Sequence, residues 1–331
     1  MTDMSAQVVG EQSRAGHLNY LEDSVQSSLF RNGKVLTRRD PDGSDSGMQG
    51  VLKENRVIDI RDGRRLTGAE RLTARTNGFE LLARPISSEI NFLDQNQVVN
   101  NYYGQCAEIV QEAVGGRAFA FDHNIRSAQG KQSKQRISGG QQVQGPAQIV
   151  HGDYTLTSSP QRLRDLANPP TGNDTLRAIL GEGQSLIDQS MVDRALGDGG
   201  RFAIINLWRN IAKDPVATYP MALCDGQSVE PEDLVVFEVH YQDRIGENYF
   251  AKHSPRHQWY CYPGMTRDEA LLIKQWDSDG PLSRSQGAKG DASDPQSPCT
   301  FSFHTAFDDL SAPPDAPDRW SIEVRCIVLY D

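Results

Sequence analysis

The stretch HGDYT, residues 151–155, places an imidazole and a carboxylate two positions apart. Side chains at positions i and i+2 of a β-strand lie on the same face, so His151 and Asp153 would present a nitrogen and an oxygen ligand to one point. An ordinary polar turn at the start of a strand would explain the same residues. Because the sequence contains no other His-x-Asp, the stretch predicts two ligands of a metal ion.

A third ligand would have to come from the histidines that follow. The two in KHSPRHQWY surround a proline, as in a surface turn, and His240 ends a predicted strand. His304 lies in CTFSFHTAF, where one face of the strand is polar and the other carries phenylalanines. Two histidines and one carboxylate leave positions open on an octahedral ion, which suits Fe(II) that binds a chelating molecule and dioxygen. We expect His304 to be the third ligand, with His240 as the alternative.

The C-terminal stretch RWSIEVRCIVLY has one apolar face and one face that carries Arg319, Ser321, Glu323 and Arg325. An arginine beside a hydroxyl fits a carboxylate that is held by two hydrogen bonds. An ion pair with a neighbouring acid is the alternative, and it has more weight for Arg325 than for Arg319. The strand therefore predicts a binding site for a carboxylate.

The composition limits the partners. The 331 residues have a net charge of −10, which argues against nucleic acid or an anionic membrane as a partner. No apolar run reaches the roughly 20 residues that span a bilayer, and the N-terminus lacks the features of a signal peptide. The five cysteines form no C-x-x-C pair, as expected of free thiols in a reducing compartment. We expect a cytoplasmic protein that binds neither nucleic acid nor membranes.

The distribution of polar residues predicts a polar, loosely ordered arm over residues 1–50 and a single domain over residues 51–331. Within this domain, residues 127–148 and 278–298 are predicted loops, and the first is either a mobile lid or a surface insertion. Many short strands, with helices mostly in the first half, predict a mainly β fold with flanking helices, built on a jelly-roll barrel. One segment, TRDEALLIKQWDS, fits a helix or a mixture of helix and strand.

Several stretches, taken in order, resemble the gibberellin-desaturase-like family of Fe(II)/2-oxoglutarate oxygenases. This group of hydroxylases and desaturases includes a component of cephamycin methoxylation. The stretches are HGDYT, NLWR, CDGQSV, HQWYCYPGMTRDEALLIKQWDS, HTAFDD and RWSIEVR. The resemblance implies a double-stranded β-helix, or cupin-like jelly roll, with His151, Asp153 and His304 as iron ligands. It also implies that Arg319 and Ser321 bind 2-oxoglutarate, with Arg325 as a further candidate.

Two of the stretches resemble family segments near the substrate pocket. They are FDHNIR, residues 121–126, and NLWR, residues 206–209. The resemblance makes Arg126, Asn206, Trp208 and Arg209 candidates for contact with the substrate or for support of the site. Packing in the core is the alternative for Trp208.

The activity that the resemblance implies is oxidation of a small molecule, such as a secondary metabolite. Fe(II), 2-oxoglutarate and dioxygen would be the reagents, with ascorbate as a stimulant. Hydroxylation, desaturation or oxidative cyclisation would accompany release of succinate and carbon dioxide. Two other classes stay open: a zinc hydrolase on the same three ligands, and a cupin-like binding module without catalysis. The hydrolase leaves the Arg-x-Ser pair unexplained, and the binding module leaves the intact triad unexplained.

Overall fold

The computed structural model describes residues 13–39, 45–86, 89–172, 174–242, 244–288, 290 and 296–330. Sixteen strands are assigned within these ranges. They are β1 (Ser13–Leu21), β2 (Leu36–Arg39), β3 (Asp45–Gln49), β4 (Lys53–Asp62), β5 (Phe79–Ala83), β6 (Arg117–Arg126), β7 (His151–Gly152), β8 (Arg201–Asn210), β9 (Met221–Cys224), β10 (Leu234–His240), β11 (Ile245–Ala251), β12 (Trp259–Cys261), β13 (Glu269–Asp277), β14 (His304–Ala306), β15 (Asp308–Asp309) and β16 (Ser321–Tyr330).

The strands form two sheets. The larger sheet has the order β15-β1-β4-β12-β9-β14-β7-β11-β10-β2-β3, and the smaller has the order β5-β13-β8-β16-β6. Tyr20 and Phe303 from the larger sheet and its connections share one buried apolar cluster with Phe121 and Ile327 from the smaller sheet. Two sheets that bury their inner faces against each other, with crossovers between non-consecutive strands, make a jelly roll. The predicted mainly β fold with flanking helices is confirmed.

The main helices cover the outer face of the smaller sheet and one end of the core. They are α1 (Gln95–Gln97), α2 (Tyr103–Val114), α3 (Ala128–Gln132), α4 (Ser158–Asp165) and α5 (Gln189–Leu196). A π-helical turn joins α1 to α2. The buried side of α2, which includes Cys106 and Val110, packs in one cluster with Leu207 and Val324 from the outer face of the sheet. This packing leaves the inner face of the smaller sheet free for polar residues.

Two parts of the chain differ from the sequence-based expectation. The described part of the predicted N-terminal arm contains β1, which pairs along its whole length with β4 and buries Leu18 and Tyr20. Residues 1–12 and 40–44 lie outside the described residues. The segment TRDEALLIKQWDS contains β13, a strand with both faces buried. In a continuous apolar run of this kind, the spacing of apolar residues does not distinguish a strand from a helix.

The two predicted loops are also more structured than expected. The 127–148 segment contains α3 and buries Ile137 and Val143 in the cluster on the helical side. The second, 278–298, contains a short 3-10 turn at Pro281–Arg284 that buries Leu282, while residues 289 and 291–295 lie outside the described residues. Over the part of the chain that is described, no helix has the length and apolar character needed to cross a membrane.

Candidate metal centre

Strand pairing brings the three predicted metal ligands together. Strand β7 lies between β11 and β14, and His151 at its start pairs in register with His304 at the start of β14. The two imidazole centroids are 4.3 Å apart. Asp153 follows β7, and its Oδ1 lies 3.6 Å from Nε2 of His151. One ligand atom from each residue lies within 4.8 Å of the other two, which is the spacing that a single ion would bridge.

Both histidines are neutral at physiological pH. Burial, and then the charge of His304, lower the pKa of His151 to about 4. Burial is also the main cause that lowers the pKa of His304. Nδ1 of His151 lies 2.8 Å from the carbonyl oxygen of Ile149, so Nε2 is the nitrogen left for a metal. Neutral imidazole is the form that binds metal ions.

Three side chains from the smaller sheet hold Asp153. Asn206 donates from Nδ2 to Oδ2 at 2.8 Å, and Arg325 donates from Nε to the same oxygen at 3.3 Å. The backbone N–H of Asp153 donates to Oε1 of Gln275 at 3.0 Å. Burial would raise the pKa of Asp153, but Arg325, followed by His304 and His151, lowers it below its usual range. The carboxylate is therefore ionised, and Oδ1 faces His151.

Two β-bulges lie beside these supporting residues. The register of β13 against β8 shifts between Lys274 and Trp276, so that Gln275 is the extra residue. The register of β6 against β16 shifts between Ala120 and Asp122, so that Phe121 is the extra residue. A bulge re-aims a side chain and is often found beside an active site. The first bulge carries Gln275, which contacts Asp153, and the second adjoins Asp122, which contacts Arg325.

Arg325 supports the metal ligand and is not free to bind an anion. Besides Asp153, it contacts Asp122 through Nη1 at 2.8 Å and Glu323 through Nη2 at 3.4 Å. Burial would lower its pKa, but Asp153 and Asp122 raise it well above the ordinary value. The ion-pair alternative is therefore the one that the geometry favours for Arg325.

Arg319 is different, because its guanidinium has nitrogens to spare. It is 2% exposed, and Nη1 donates to the carbonyl oxygen of Tyr219. Its Nε and Nη2, like Oγ of Ser321, are buried and have no hydrogen-bond partner among the described residues. Buried polar atoms of this kind are rare and call for a ligand or water. Burial, and then the charge of Arg126, lower the pKa of Arg319 to about 9.

One cavity connects the triad with Arg319. Its lining residues are Arg126, Ala147, His151, Met221, His304, Ala306, Arg319 and Glu323. A dicarboxylate bound in this cavity would meet the metal ligands at one side and the unpartnered nitrogens of Arg319 at another. The residues present therefore fit both an iron ion and 2-oxoglutarate.

The four substrate-side candidates have four different surroundings. Arg126 lines the cavity. Asn206 supports Asp153, and Trp208 packs in the core with its ring 5.6 Å below the guanidinium carbon of Arg319. Arg209 lies on the opposite face of β8, where Nε donates to the hydroxyl of Tyr102 at 2.7 Å. Because side chains alternate along a strand, Arg209 cannot share the inward face with its two neighbours, and this part of the expectation is corrected.

Sequence reasoning missed several residues at the site. Gln275 lies in a segment that fitted a helix as well as a strand, so that its direction was not predictable. Glu323 was noticed only as part of a polar face, yet it lines the cavity. Tyr219, whose carbonyl holds Arg319, has the left-handed φ of 45° that costs energy in a residue other than glycine. No sequence pattern signals that conformation.

The fold and the site together define a jelly-roll protein with a His-Asp-His metal site facing a buried arginine. Residues 18–329 match the family described as "Oxidoreductase/YMDC permease-like domain", and the chain belongs to this family. It is 43% identical over 196 residues to "Uncharacterized protein in dcmA 3'region" of Methylophilus leisingeri, an alignment that spans 59% of this chain and 89% of the relative.

Two fungal relatives have names that describe a reaction. The chain is 27% identical over 260 residues to "Fe(II)/2-oxoglutarate-dependent dioxygenase nvfI" of Aspergillus novofumigatus, covering 76% of each chain. It is 25% identical over 269 residues to "Hydroxylase/desaturase poxK" of Penicillium oxalicum, covering 75% of this chain and 70% of the relative. These relatives confirm the predicted assignment to the hydroxylases and desaturases that depend on Fe(II) and 2-oxoglutarate.

A solved structure shares the fold. The "iron and alpha-ketoglutarate-dependent endoperoxidase NvfI" superposes with a TM-score of 0.66 at 19% identity, over 97% of this chain and 99% of that chain. The similarity extends over the whole jelly roll, including the N-terminal strand β1 that the sequence did not predict.

Proposed function

We propose that this protein is a non-haem Fe(II)/2-oxoglutarate-dependent oxygenase that oxidises a small organic molecule. The observation that carries the proposal is a single cavity lined by two triad histidines and by Arg319. Two guanidinium nitrogens of Arg319 are buried and have no partner within the described residues. A metal site alone would also suit a zinc hydrolase, but that chemistry leaves the arginine without a role.

When bound, the iron ion would activate dioxygen, which is the oxidant; conversion of 2-oxoglutarate to succinate and carbon dioxide would supply two of the four electrons that dioxygen accepts, and the substrate would supply the other two. His151, Asp153 and His304 would hold the iron. Arg319 would bind the distal carboxylate of 2-oxoglutarate through a two-pronged contact, assisted by Ser321.

The proposed substrate is a small molecule of secondary metabolism. Support comes from the fungal relatives, whose names describe a hydroxylase/desaturase and a dioxygenase. The reaction on this substrate is hydroxylation, desaturation or oxidative cyclisation. A gain of one oxygen atom in the product would identify the first, and a loss of two hydrogens would identify either of the others.

We also propose a cytoplasmic location, because the five cysteines are all free and buried, as in proteins of reducing compartments. The proposed catalytic domain is a single unit over residues 51–331. Its larger sheet is extended by strands of the preceding segment, with β1 between β15 and β4 and with β2 and β3 at the opposite edge.

The test is succinate formation. The protein is incubated with Fe(II), ascorbate, 2-oxoglutarate and oxygen, with and without a panel of candidate small molecules, and succinate and product masses are measured. We expect slow succinate release without a substrate and much faster release with a correct one. His304→Ala should abolish succinate. His240→Ala is the matched control, since that imidazole pairs with Glu238 at 2.8 Å outside the triad.

The other classes predict different results. A zinc hydrolase would give no succinate and would keep its activity without oxygen. A binding module would give neither succinate nor product. Succinate that persists in His304→Ala but disappears in His240→Ala would move the third metal ligand to His240.

A further inference from the structure

Arg126 is a second arginine in the cavity. It is the last residue of β6 and pairs in register with Ser321 of β16, so the two residues lie side by side on the inner face of the smaller sheet. Its guanidinium lines the same cavity as His151, His304 and Arg319. Nη1 donates to the carbonyl oxygen of Gly145 at 3.0 Å, which fixes the direction of the side chain.

Arg126 and Arg319 line one cavity, where Arg319 is buried and Arg126 is partly buried. Neither arginine makes an ion pair with any of the described residues. Burial lowers the pKa of both arginines, and the acid that lines the cavity with them, Glu323, raises it, but the carboxylate of Glu323 contacts Arg325. One carboxylate that is shared with Arg325 does not balance two guanidinium groups. A bound dianion would compensate both arginines at once.

The order of residues along β16 tells which end of the dianion each arginine would meet. Arg325 contacts Asp153, and the inward-facing residues that precede Arg325 lie progressively further from that ligand. Arg126 is level with Ser321. Arg319 precedes Ser321 by two residues, which is roughly 7 Å along an extended chain. By strand position, the backbone of Arg126 is therefore nearer to Arg325 and its contact Asp153 than the backbone of Arg319 is.

We propose that Arg126 binds the carboxylate at the keto-acid end of 2-oxoglutarate, while Arg319 binds the distal carboxylate. The two arginines form a two-ended clamp on the cosubstrate. This inference rests on the proposed function, and it moves Arg126 from the substrate side to the cosubstrate side.

The clamp is tested with two probes, of which one has only the group that chelates the metal and the other also has the distal carboxylate. Oxalate carries the chelating end alone, and 2-oxoglutarate carries both ends. Binding of each probe to the iron-loaded, full-length protein is measured by anaerobic calorimetry. Arg126→Met should weaken both probes by roughly 10- to 100-fold, as expected when a charged hydrogen bond is lost. Arg319→Met should weaken 2-oxoglutarate by about 30-fold or more, because a buried carboxylate loses its charged partner, and should leave oxalate within about twofold.

The matched control is Arg136→Met, which removes an exposed arginine of the 127–148 segment and should leave both affinities unchanged. Iron content and urea unfolding are measured for every variant. If Arg126→Met does not fold, Arg126→Lys keeps the charge without the planar fork, and we expect it to weaken oxalate roughly threefold or more.

Two outcomes separate this inference from the proposed function. Wild-type protein that binds iron but not 2-oxoglutarate would contradict the proposed function itself. If the wild-type protein binds both probes and Arg126→Met or Arg126→Lys binds them with unchanged affinities, the clamp is wrong but the proposed function is not contradicted. A raised KM for the organic substrate in the same variant would then return Arg126 to the substrate side.

Discussion

Asp153 carries the negative charge of the triad, and it is the ligand that the smaller sheet supports most extensively. Asn206 from β8 and Arg325 from β16 both donate to Oδ2, while Gln275 from β13 accepts its backbone N–H. Asp122 from β6 holds Arg325 in turn. Outer-shell partners of this kind orient a metal ligand and commonly change metal affinity 10- to 100-fold. The inner face of the sheet is therefore part of the metal site.

Arg319, which precedes β16, and Arg325, which lies within it, should differ in what their removal impairs. Arg319→Met should cost about 2–5 kcal/mol of 2-oxoglutarate binding, because a buried carboxylate would lose its charged partner. Arg325→Met should cost less cosubstrate binding but should reduce iron affinity, because Asp153 would lose a support. The measurements are iron retention and anaerobic titration of the visible charge-transfer band of Fe(II) with 2-oxoglutarate. The reverse ranking for 2-oxoglutarate would make Arg325 the anchor.

The pKa values of the histidines predict how metal binding depends on pH. Protons compete with a metal ion for an imidazole only when the pH is near or below the pKa of that imidazole in the folded protein. This pKa is lowered to about 4 for His151 and is also lowered for His304. Iron affinity should therefore stay nearly constant between pH 8 and about 6 and fall only as the pH approaches 4. Equilibrium binding at a series of pH values measures this. A midpoint near 6.5 would mean that the imidazoles are not desolvated as the structure indicates.

At the scale of elements, β7 is a very short strand that carries one metal ligand and precedes another. It is held between β11 and β14, and Gly152 lets it lie close to the aromatic layer beneath. A Cβ atom at this position would be 3.1 Å from two ring carbons of Phe301. That ring is itself stacked on Trp276 at a centroid distance of 6.3 Å. The middle residue of the His-x-Asp stretch is therefore constrained by packing.

Substituting this glycine should destabilise the fold locally. Gly152→Ala should cost about 1–3 kcal/mol of unfolding free energy through overpacking against Phe301. Phe301→Leu frees space at this contact. The double variant should therefore be destabilised by about 0.5 kcal/mol or more less than the sum of the two single destabilisations. Urea unfolding of the metal-free variants measures both. Additive effects would show that the two side chains do not meet.

At the scale of the whole molecule, the site joins the two sheets. The larger sheet supplies the histidines, and the smaller sheet supplies the residues that hold Asp153 and the arginines that face the cavity. A ligand that contacts both sheets binds the folded state and not the unfolded chain. Occupancy of the site should therefore be coupled to the stability of the entire jelly roll.

Thermal unfolding can measure this coupling. Fe(II) at about one hundred times its dissociation constant should stabilise the anaerobic protein by about 2.7 kcal/mol. His304→Ala should lose this stabilisation, and His240→Ala should keep it because its imidazole pairs with Glu238. An equal rise in Tm in the His304→Ala variant would place the iron elsewhere.

Local periodicity made much of the site predictable. The i and i+2 rule put His151 with Asp153, and it put Arg319, Ser321, Glu323 and Arg325 on one face of the last strand. The apolar face of that strand packs towards the helices. The same rule, applied to NLWR, would have excluded Arg209 from the inner face. The rule could not be applied to β13, because apolar residues occupy both faces of that strand and the sequence did not show to which face Gln275 belongs.

The amino-acid sequence by itself determined which faces of the strands are polar and which residue types could bind a metal and a carboxylate. Only the tertiary structure decided that His304 pairs with His151, because strand pairing joins segments far apart in the chain. It also decided between Arg319 and Arg325 as the residue that is free to bind a carboxylate. Arg325 has Asp122 and Asp153 as neighbours from other segments, whereas two nitrogens of Arg319 face a cavity with no partner among the described residues. Periodicity reports the direction of a side chain, and the charge that lies opposite it is set by the packing of the two sheets.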